Sequence, residues 1–599
     1  VNQTPSPDTS VKSQKKHVAT IGAGCSGLVA IKECLAEPDH LEVVCFEQEP
    51  HAGGLWRYMD VTKENPNPYS SVYKSTIINT SKEMMTFSDY AIPGSWATYL
   101  HNTKVVQYFD LYAEHFGLLK YIRFQTKVVE IRELKDEQRR WMVRTQPISN
   151  NNNNNAVQEE IFDYVMMCTG HHSTPRYPSF PGMNPTEPNA YTGQQIHSHF
   201  FRDVPEDLKE KNVIVVGLGN SGVDLAVELS MNQCQVHLSV RSPIWVSPRW
   251  LLGRPLDHYT TRFSLMFPLY VLQGIAMFLV TISIPRVHPL MKPKKRLFQS
   301  HTTINSMLHE RIATGTIIPQ RNIRRVGPEK RVEFEDGTIL EDIEAIYWCT
   351  GYHIRFPALD PIITSDGHED LESNRVWLWN YMFPPRHPNL AFIGLCQSSG
   401  AFMPIAELQC RFLVQVLSGH SPLLTPIPDQ EQMDREIQEM QAKIRKQYVS
   451  LKHTIQLVYT SHSDMLAKKI GCFPSYWKLV KAFGLVEGTR LKMESIFGPA
   501  IPVFFRLVGP HAWVGDNDED DDNNQKKKKG EKGEKGGEAA RQVIWGYKGD
   551  ERYLDSKYLK GESDVLLAKK KESAKGGVQD GLLQNGESSG SRQRMLIEI

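Results

Sequence analysis

VATIGAGCSGL, residues 18–28, sets Gly22, Gly24 and Gly27 in a G-x-G-x-x-G spacing directly after a β-branched apolar run. That arrangement reads as a strand, a tight turn and the start of a helix. The first glycine permits the turn, the second lets the backbone approach a pyrophosphate, and the third packs helix on strand. A second apolar run, LEVVCFE, ends in Glu47. A carboxylate there hydrogen-bonds a ribose hydroxyl and repels a 2′-phosphate, so the expected ligand is FAD or NAD. HAGGLW (51–56) adds another glycine pair. Cys25, Ser26, Gly54, Leu55 and Trp56 therefore join the glycines and Glu47 as candidate cofactor-binding residues.

The pattern recurs in NVIVVGLGNSGVDLA, with Gly217, Gly219 and Gly222. Its second strand, QVHLSV, is followed by Arg241. A cation at that point suits the 2′-phosphate of NADP, through charge-assisted hydrogen bonds worth about 1.5–3 kcal/mol each. Ser221 is expected to face the pyrophosphate from the helix N-terminus. A site for FAD and one for NADP in one chain imply hydride transfer from NADPH to flavin. Flavoprotein disulfide reductases need a Cys-x-x-Cys beside the flavin, and none of the nine cysteines forms one. The electrons are left with dioxygen or an external acceptor.

Around these two signatures, further apolar runs (YVMMCTG, AIYWCTG) end in glycine where a buried parallel strand delivers its loop. The fold expected is α/β, with two Rossmann-like dinucleotide-binding domains and the NADP domain inserted in the FAD domain. The expected boundaries are 1–15 for a flexible arm, 16–205 with 346–514 for FAD, and 206–345 for NADP. The NADP part carries an apolar helical insertion around 245–310. Residues 515–599 open with the acidic-then-basic DNDEDDDNNQKKKKGEKGEKGG and read as a charged, mostly disordered tail, as does the asparagine run 150–155.

Lys plus Arg (69) nearly cancels Asp plus Glu (68), so no basic field invites nucleic acid. Scattered cysteines argue for a reducing compartment and against a zinc site. The N-terminal arm lacks the apolar core of a secretory signal, giving an intracellular expectation, either cytoplasmic or on the face of the endoplasmic reticulum membrane. Residues 263–285 carry no charge. A crossing there would put the strands on its two sides in different compartments, which disfavours a true span against a buried helix or a patch in one membrane face. The sequence does not fix an oligomeric state, and a homo-oligomer stays open.

Between the two signatures lies YTGQQIHSHFF (191–201). Its Tyr191, Gly193, His197 and Phe201 are similar to the fingerprint of the multisubstrate, animal-like flavin-containing monooxygenases, with tyrosine where phenylalanine is usual first. Related Baeyer-Villiger enzymes typically carry tryptophan followed by proline or aspartate at the end, where this chain has Phe201 and Arg202. STIINTSKEMMTFSDY (75–90), MMCTGHHSTP (166–175), IYWCTGYHIRFPAL (346–359), IGLCQSSGAFMPIAELQCRF (393–412) and FGPAIPVFFRLVGPHAW (497–513) extend the resemblance from about 18 to 513.

The resemblance implies that NADPH reduces FAD, that dioxygen adds to give a C4a-hydroperoxyflavin, and that bound NADP⁺ shields it until a soft nitrogen or sulfur nucleophile takes oxygen. It places Asn79 over the flavin, Asn220 near the nicotinamide and Gln397 on the flavin-side segment. Asn79 and Asn220 are the candidate catalytic residues, because a neutral amide donates a hydrogen bond without the proton traffic that would release hydrogen peroxide. No metal and no catalytic base are required, so His197 is read as a domain-positioning residue. The expected partners are small-molecule amines and sulfur compounds with dioxygen, and peripheral membrane contact through 263–285. The alternatives are a Baeyer-Villiger-type oxygenase or NADPH oxidase on the same scaffold, and a non-catalytic nucleotide-binding protein.

Overall fold

The computed structural model describes residues 15–148, 156–284, 287–360, 363, 374–419, 427–448 and 454–512. The N-terminal arm up to residue 14, the asparagine run 150–155 and the tail 515–599 lie outside them. Two five-stranded sheets organise the chain. In the first, the order is Leu390–Phe392, Tyr164–Met167, Lys16–Ile21, Leu41–Phe46 and Ile122–Arg123, every neighbouring pair parallel. In the second it is Ile317–Gln320, Gln235–Ser239, Asn212–Val216, Ile343–Trp348 and Gln194–His197, again all parallel.

Parallel strands covered on both faces need continuous apolar sequence rather than alternation. Val213, Ile214 and Val215 accordingly have no solvent exposure, and the first and third belong to the core on one face while Ile214 belongs to the other. The first sheet packs on the helices Cys25–Leu35 and Met403–Ser418 in a separate core. The fingerprint supplies an element: Gln194–His197 is the edge strand of the second sheet, with His197 opposite Trp348. The second sheet thus extends past both boundaries expected at 205/206 and 345/346. Residues 15–92 and 96–512 of the described chain belong to one unit, and Pro93–Ser95 fall outside it.

Within the insertion, Val246–Ser247 pairs in parallel with Thr303–Ile304 to make a short ribbon. Between its strands runs the apolar helix Leu269–Ser283. The buried-helix expectation for 263–285 is corrected here. Only Gln273 and Val280 of that helix are buried, whereas Tyr270 is 68% and Phe278 64% exposed, because among the described residues no neighbouring element covers its outer side. Among the described residues, no helix is long and apolar enough to cross a membrane.

Candidate active site

Each glycine turn delivers a helix whose N-terminus has no side-chain cap: Cys25–Leu35 after Gly24 and Asn220–Met231 after Gly219. Uncapped first-turn amides at a helix N-terminus are a ready anion site. The third glycine of each turn explains itself sterically. A Cβ on Gly27 or on Gly222 would lie 2.9 Å from the carbonyl carbon of Gly22 or Gly217, inside any real contact. The two turns thus repeat one device.

At the first turn, Glu47 is buried and accepts hydrogen bonds from the backbone N–H of Ala23 (2.6 Å) and of Glu49 (2.9 Å). Burial raises its carboxyl above the ordinary range, and the two N–H bonds oppose the rise. A buried carboxylate fixed by backbone donors, with lone pairs left over, fits a ribose diol. Gly54 faces Gly24, and a Cβ on Gly54 would come within 3.0 Å of the Gly24 Cα, so the pair leaves a cradle that larger residues would fill. Arg241, one residue beyond the Gln235–Val240 stretch at the second turn, is exposed.

A cavity of about 860 Å³ joins the two turns. Of the candidate residues, Gly22, Gly24, Cys25, Ser26, Glu47, Gly54, Leu55, Trp56, Asn79, Gln397, Asn220 and Ser221 line it. Gly27, Gly217, Gly219, Gly222 and Arg241 are not on its lining, nor are the four fingerprint residues. Several lining residues were not singled out from the sequence, among them His171, Asp224 and Tyr352, which lie inside the quoted motifs, and His301. Asp224 stands four residues after Asn220 on the same helix face, a spacing that could have found it.

The fingerprint acts beneath this cavity. Tyr191 donates from its hydroxyl to the carbonyl of Ile343 (2.5 Å), and its ring lies over Gly193, where a Cβ would sit 2.8 Å from the carbonyl oxygen of Glu344. His197 uses both ring nitrogens on backbone: Nε2 donates to the Gly351 carbonyl (3.1 Å) and Nδ1 accepts from His199 N–H (3.1 Å). Burial pulls its pKa down to about 4, so the ring is neutral at physiological pH. Phe201 packs edge-on against Tyr73 and Tyr347, and the buried guanidinium of Arg202 donates to the carbonyls of Ser70, His199 and Phe201.

The carboxylates of Glu33, Asp89 and Glu407 form a group close enough to hold a cation, but a cation is already there. Arg506 contacts all three, at 2.9 Å for Glu407 and 3.1 Å for Asp89, and Lys32 pairs with Glu33 (2.5 Å) and Asp89.

The model of the flavin-binding monooxygenase-like family matches residues 15–531. This chain belongs to that family. Among similar proteins, flavin-containing monooxygenase 5 of Cavia porcellus is 39% identical over 515 residues, covering 84% of this chain and 90% of that protein. Dimethylaniline monooxygenase [N-oxide-forming] 2 of Oryctolagus cuniculus is 36% identical over 513 residues, with the same two coverages. In fold, the monooxygenase is similar to the S-allyl-L-cysteine S-oxygenase of Allium sativum (TM-score 0.56, 24% identity, 81% of this chain and 94% of that one). It is also similar to the NADP⁺-bound cyclohexanone monooxygenase of Rhodococcus sp. Phi1 (TM-score 0.54, 16% identity, 76% and 98%). The two turns of the monooxygenase fit FAD and NADP(H), the cofactors on which this fold is built.

Proposed function

We propose that this monooxygenase uses NADPH and dioxygen to oxygenate soft nitrogen or sulfur atoms of small molecules, giving N-oxides and S-oxides. The observation that carries the reading is the one cavity lined by Glu47 at one turn, by Asn220 and Ser221 at the other, and by Asn79 and Gln397. When bound, the reduced flavin supplies the electrons that activate dioxygen. The protein's residues bind, orient and shield. Glu47 takes the unphosphorylated ribose and Arg241 the 2′-phosphate, which sorts the two nucleotides by charge. Asn79 and Asn220 offer neutral donors where negative charge develops, and neither can pass on a proton that would discharge oxygen as peroxide. The relative named dimethylaniline monooxygenase [N-oxide-forming] 2 carries nitrogen oxygenation in its name, which supports the same substrate class.

The test is a product screen by mass spectrometry with a tertiary amine, a thioether and a cyclic ketone side by side, with NADPH and hydrogen peroxide counted. N-oxide or S-oxide in proportion to NADPH is expected. Peroxide equal to all NADPH consumed would sink the reading, and a lactone as main product would replace it with Baeyer-Villiger chemistry.

The exposed side of residues 263–282 is further read as a peripheral membrane contact on an intracellular face. Support comes from its neighbourhood: Phe263 stacks on Phe497, whose helix Leu485–Phe497 also exposes Val486 (83%). Exposed apolar side chains of two elements thus meet at one surface, more than scattered exposed residues would give.

A further inference from the structure

One candidate asparagine sits in a turn and the other at a helix start, 141 residues apart in the sequence, yet one element reaches both. The ribbon Val246–Ser247/Thr303–Ile304 is locked over the second turn: Thr303 Oγ1 donates to the Leu218 carbonyl (2.7 Å), and Asn305 Nδ2 donates to Asp224 (2.7 Å). From one strand, the backbone N–H of Ile304 donates to Asn220 Oδ1 (3.0 Å). Just past the other, Arg249 Nη2 donates to Asn79 Oδ1 (2.8 Å). Arg249 is itself held: its N–H donates to Ser306 Oγ (3.1 Å), and its carbonyl accepts from Tyr99 Oη (2.6 Å). A few residues on, Asp257 takes the backbone N–H of Ser81 (2.7 Å), so the same segment also grips the turn that carries Asn79.

The chemistry of the donors fixes what this does. A backbone N–H and a guanidinium donate and cannot accept, so each amide must present its oxygen to them. The NH₂ end of each asparagine is then left over, and among the described residues neither has a protein partner. Both side chains belong to the cavity lining. We infer that the ribbon orients both amides with their donors toward the cavity, and that Arg249 is the positioning residue for Asn79. This rests on the proposed oxygenation. Arg249 does not line the cavity, and its side-chain hydrogen bond to a cavity residue goes to Asn79.

The test compares purified FAD-loaded wild type, Arg249→Ala, Arg249→Lys and Asn79→Asp for peroxide released per thioether oxygenated, melting temperature and crystal structure. Arg249→Ala frees the amide to rotate, and peroxide per product is expected to rise about tenfold or more, the loss of one charge-assisted hydrogen bond. Arg249→Lys keeps a cationic donor and restores most of the coupling. Asn79→Asp keeps the contact with Arg249 and removes the NH₂, so it leaks peroxide with no loss of melting temperature. That combination separates orientation from mere structural support. Wild-type coupling in Arg249→Ala, or an unmoved Asn79 amide in its crystal structure, overturns the inference and leaves the oxygenase reading standing. A wild type that makes no product overturns that reading instead, and the position of Asn79 in Arg249→Ala then decides the inference by itself.

Discussion

At the residue scale, Gly193 shows why a fingerprint position tolerates one side chain. A methyl there would meet both the Tyr191 ring, 2.6 Å from Cζ, and the Glu344 carbonyl oxygen, and neither can yield because Tyr191 is tied to Ile343. Gly193→Ala is expected to destabilise by about 1–3 kcal/mol, read as a fall in melting temperature. Asn79→Ala should raise the hydrogen peroxide released per NADPH with little change in stability, and unchanged coupling would count against its role at the cavity. Arg241 is exposed and serves no packing purpose. Arg241→Ala should therefore narrow the preference for NADPH over NADH by about tenfold or more, measured as a ratio of kcat/KM, at no cost in stability.

At the element scale, the segment Pro502–Arg506 is held into the core by charge. Burial pushes the Glu33 carboxyl up, but Arg506, Lys32 and Arg411 together more than reverse this, and its pKa ends well below the ordinary range. Three cations and the three carboxylates of Glu33, Asp89 and Glu407 leave no net charge inside. Arg506→Ala strands buried carboxylates, and a loss of about 3–5 kcal/mol is expected in denaturant unfolding. The outward elements behave oppositely. The helix Leu269–Ser283 presents apolar side chains to water with no partner among the described residues, so the monooxygenase should float with anionic lipid vesicles. Charged substitutions at Tyr270 and Phe278 should abolish flotation while leaving turnover of a soluble thioether intact. Flotation that survives them would remove the helix from the contact.

At the scale of the whole molecule, buried ionisable groups set the response to acid. Burial holds His197, His237 and His462 at a pKa of about 4, against an ordinary 6.5. Between those values the unfolded chain takes up protons that the native one does not, so stability is full above pH 6.5 and declines as pH falls toward 4. Glu33, lowered by its cations, acts in the same direction below its ordinary 4.5. Melting temperature should thus be flat from pH 7 to 8 and fall steadily below 6.5. His237→Gln should flatten that fall, and a melting temperature independent of pH between 5 and 7 would contradict the assignment.

The sequence by itself determined the two nucleotide turns, because glycine spacing encodes a backbone that must pass close to its own helix, as Gly27 and Gly222 both do. It also determined the charge at the end of each second strand, on which the proposed sorting of FAD from NADP rests. Local sequence equally announced an apolar helix near 263–285. Its exposure was decided only by tertiary structure, since burial depends on what neighbouring elements cover. The same holds for Arg249, which sits in an unremarked SPRW stretch and matters because folding brings it 2.8 Å from an amide 170 positions away. Spacing rules read contacts made within one turn or one strand. The contact that aims Asn79 closes between a turn and an insertion 170 positions apart, where no local pattern records it.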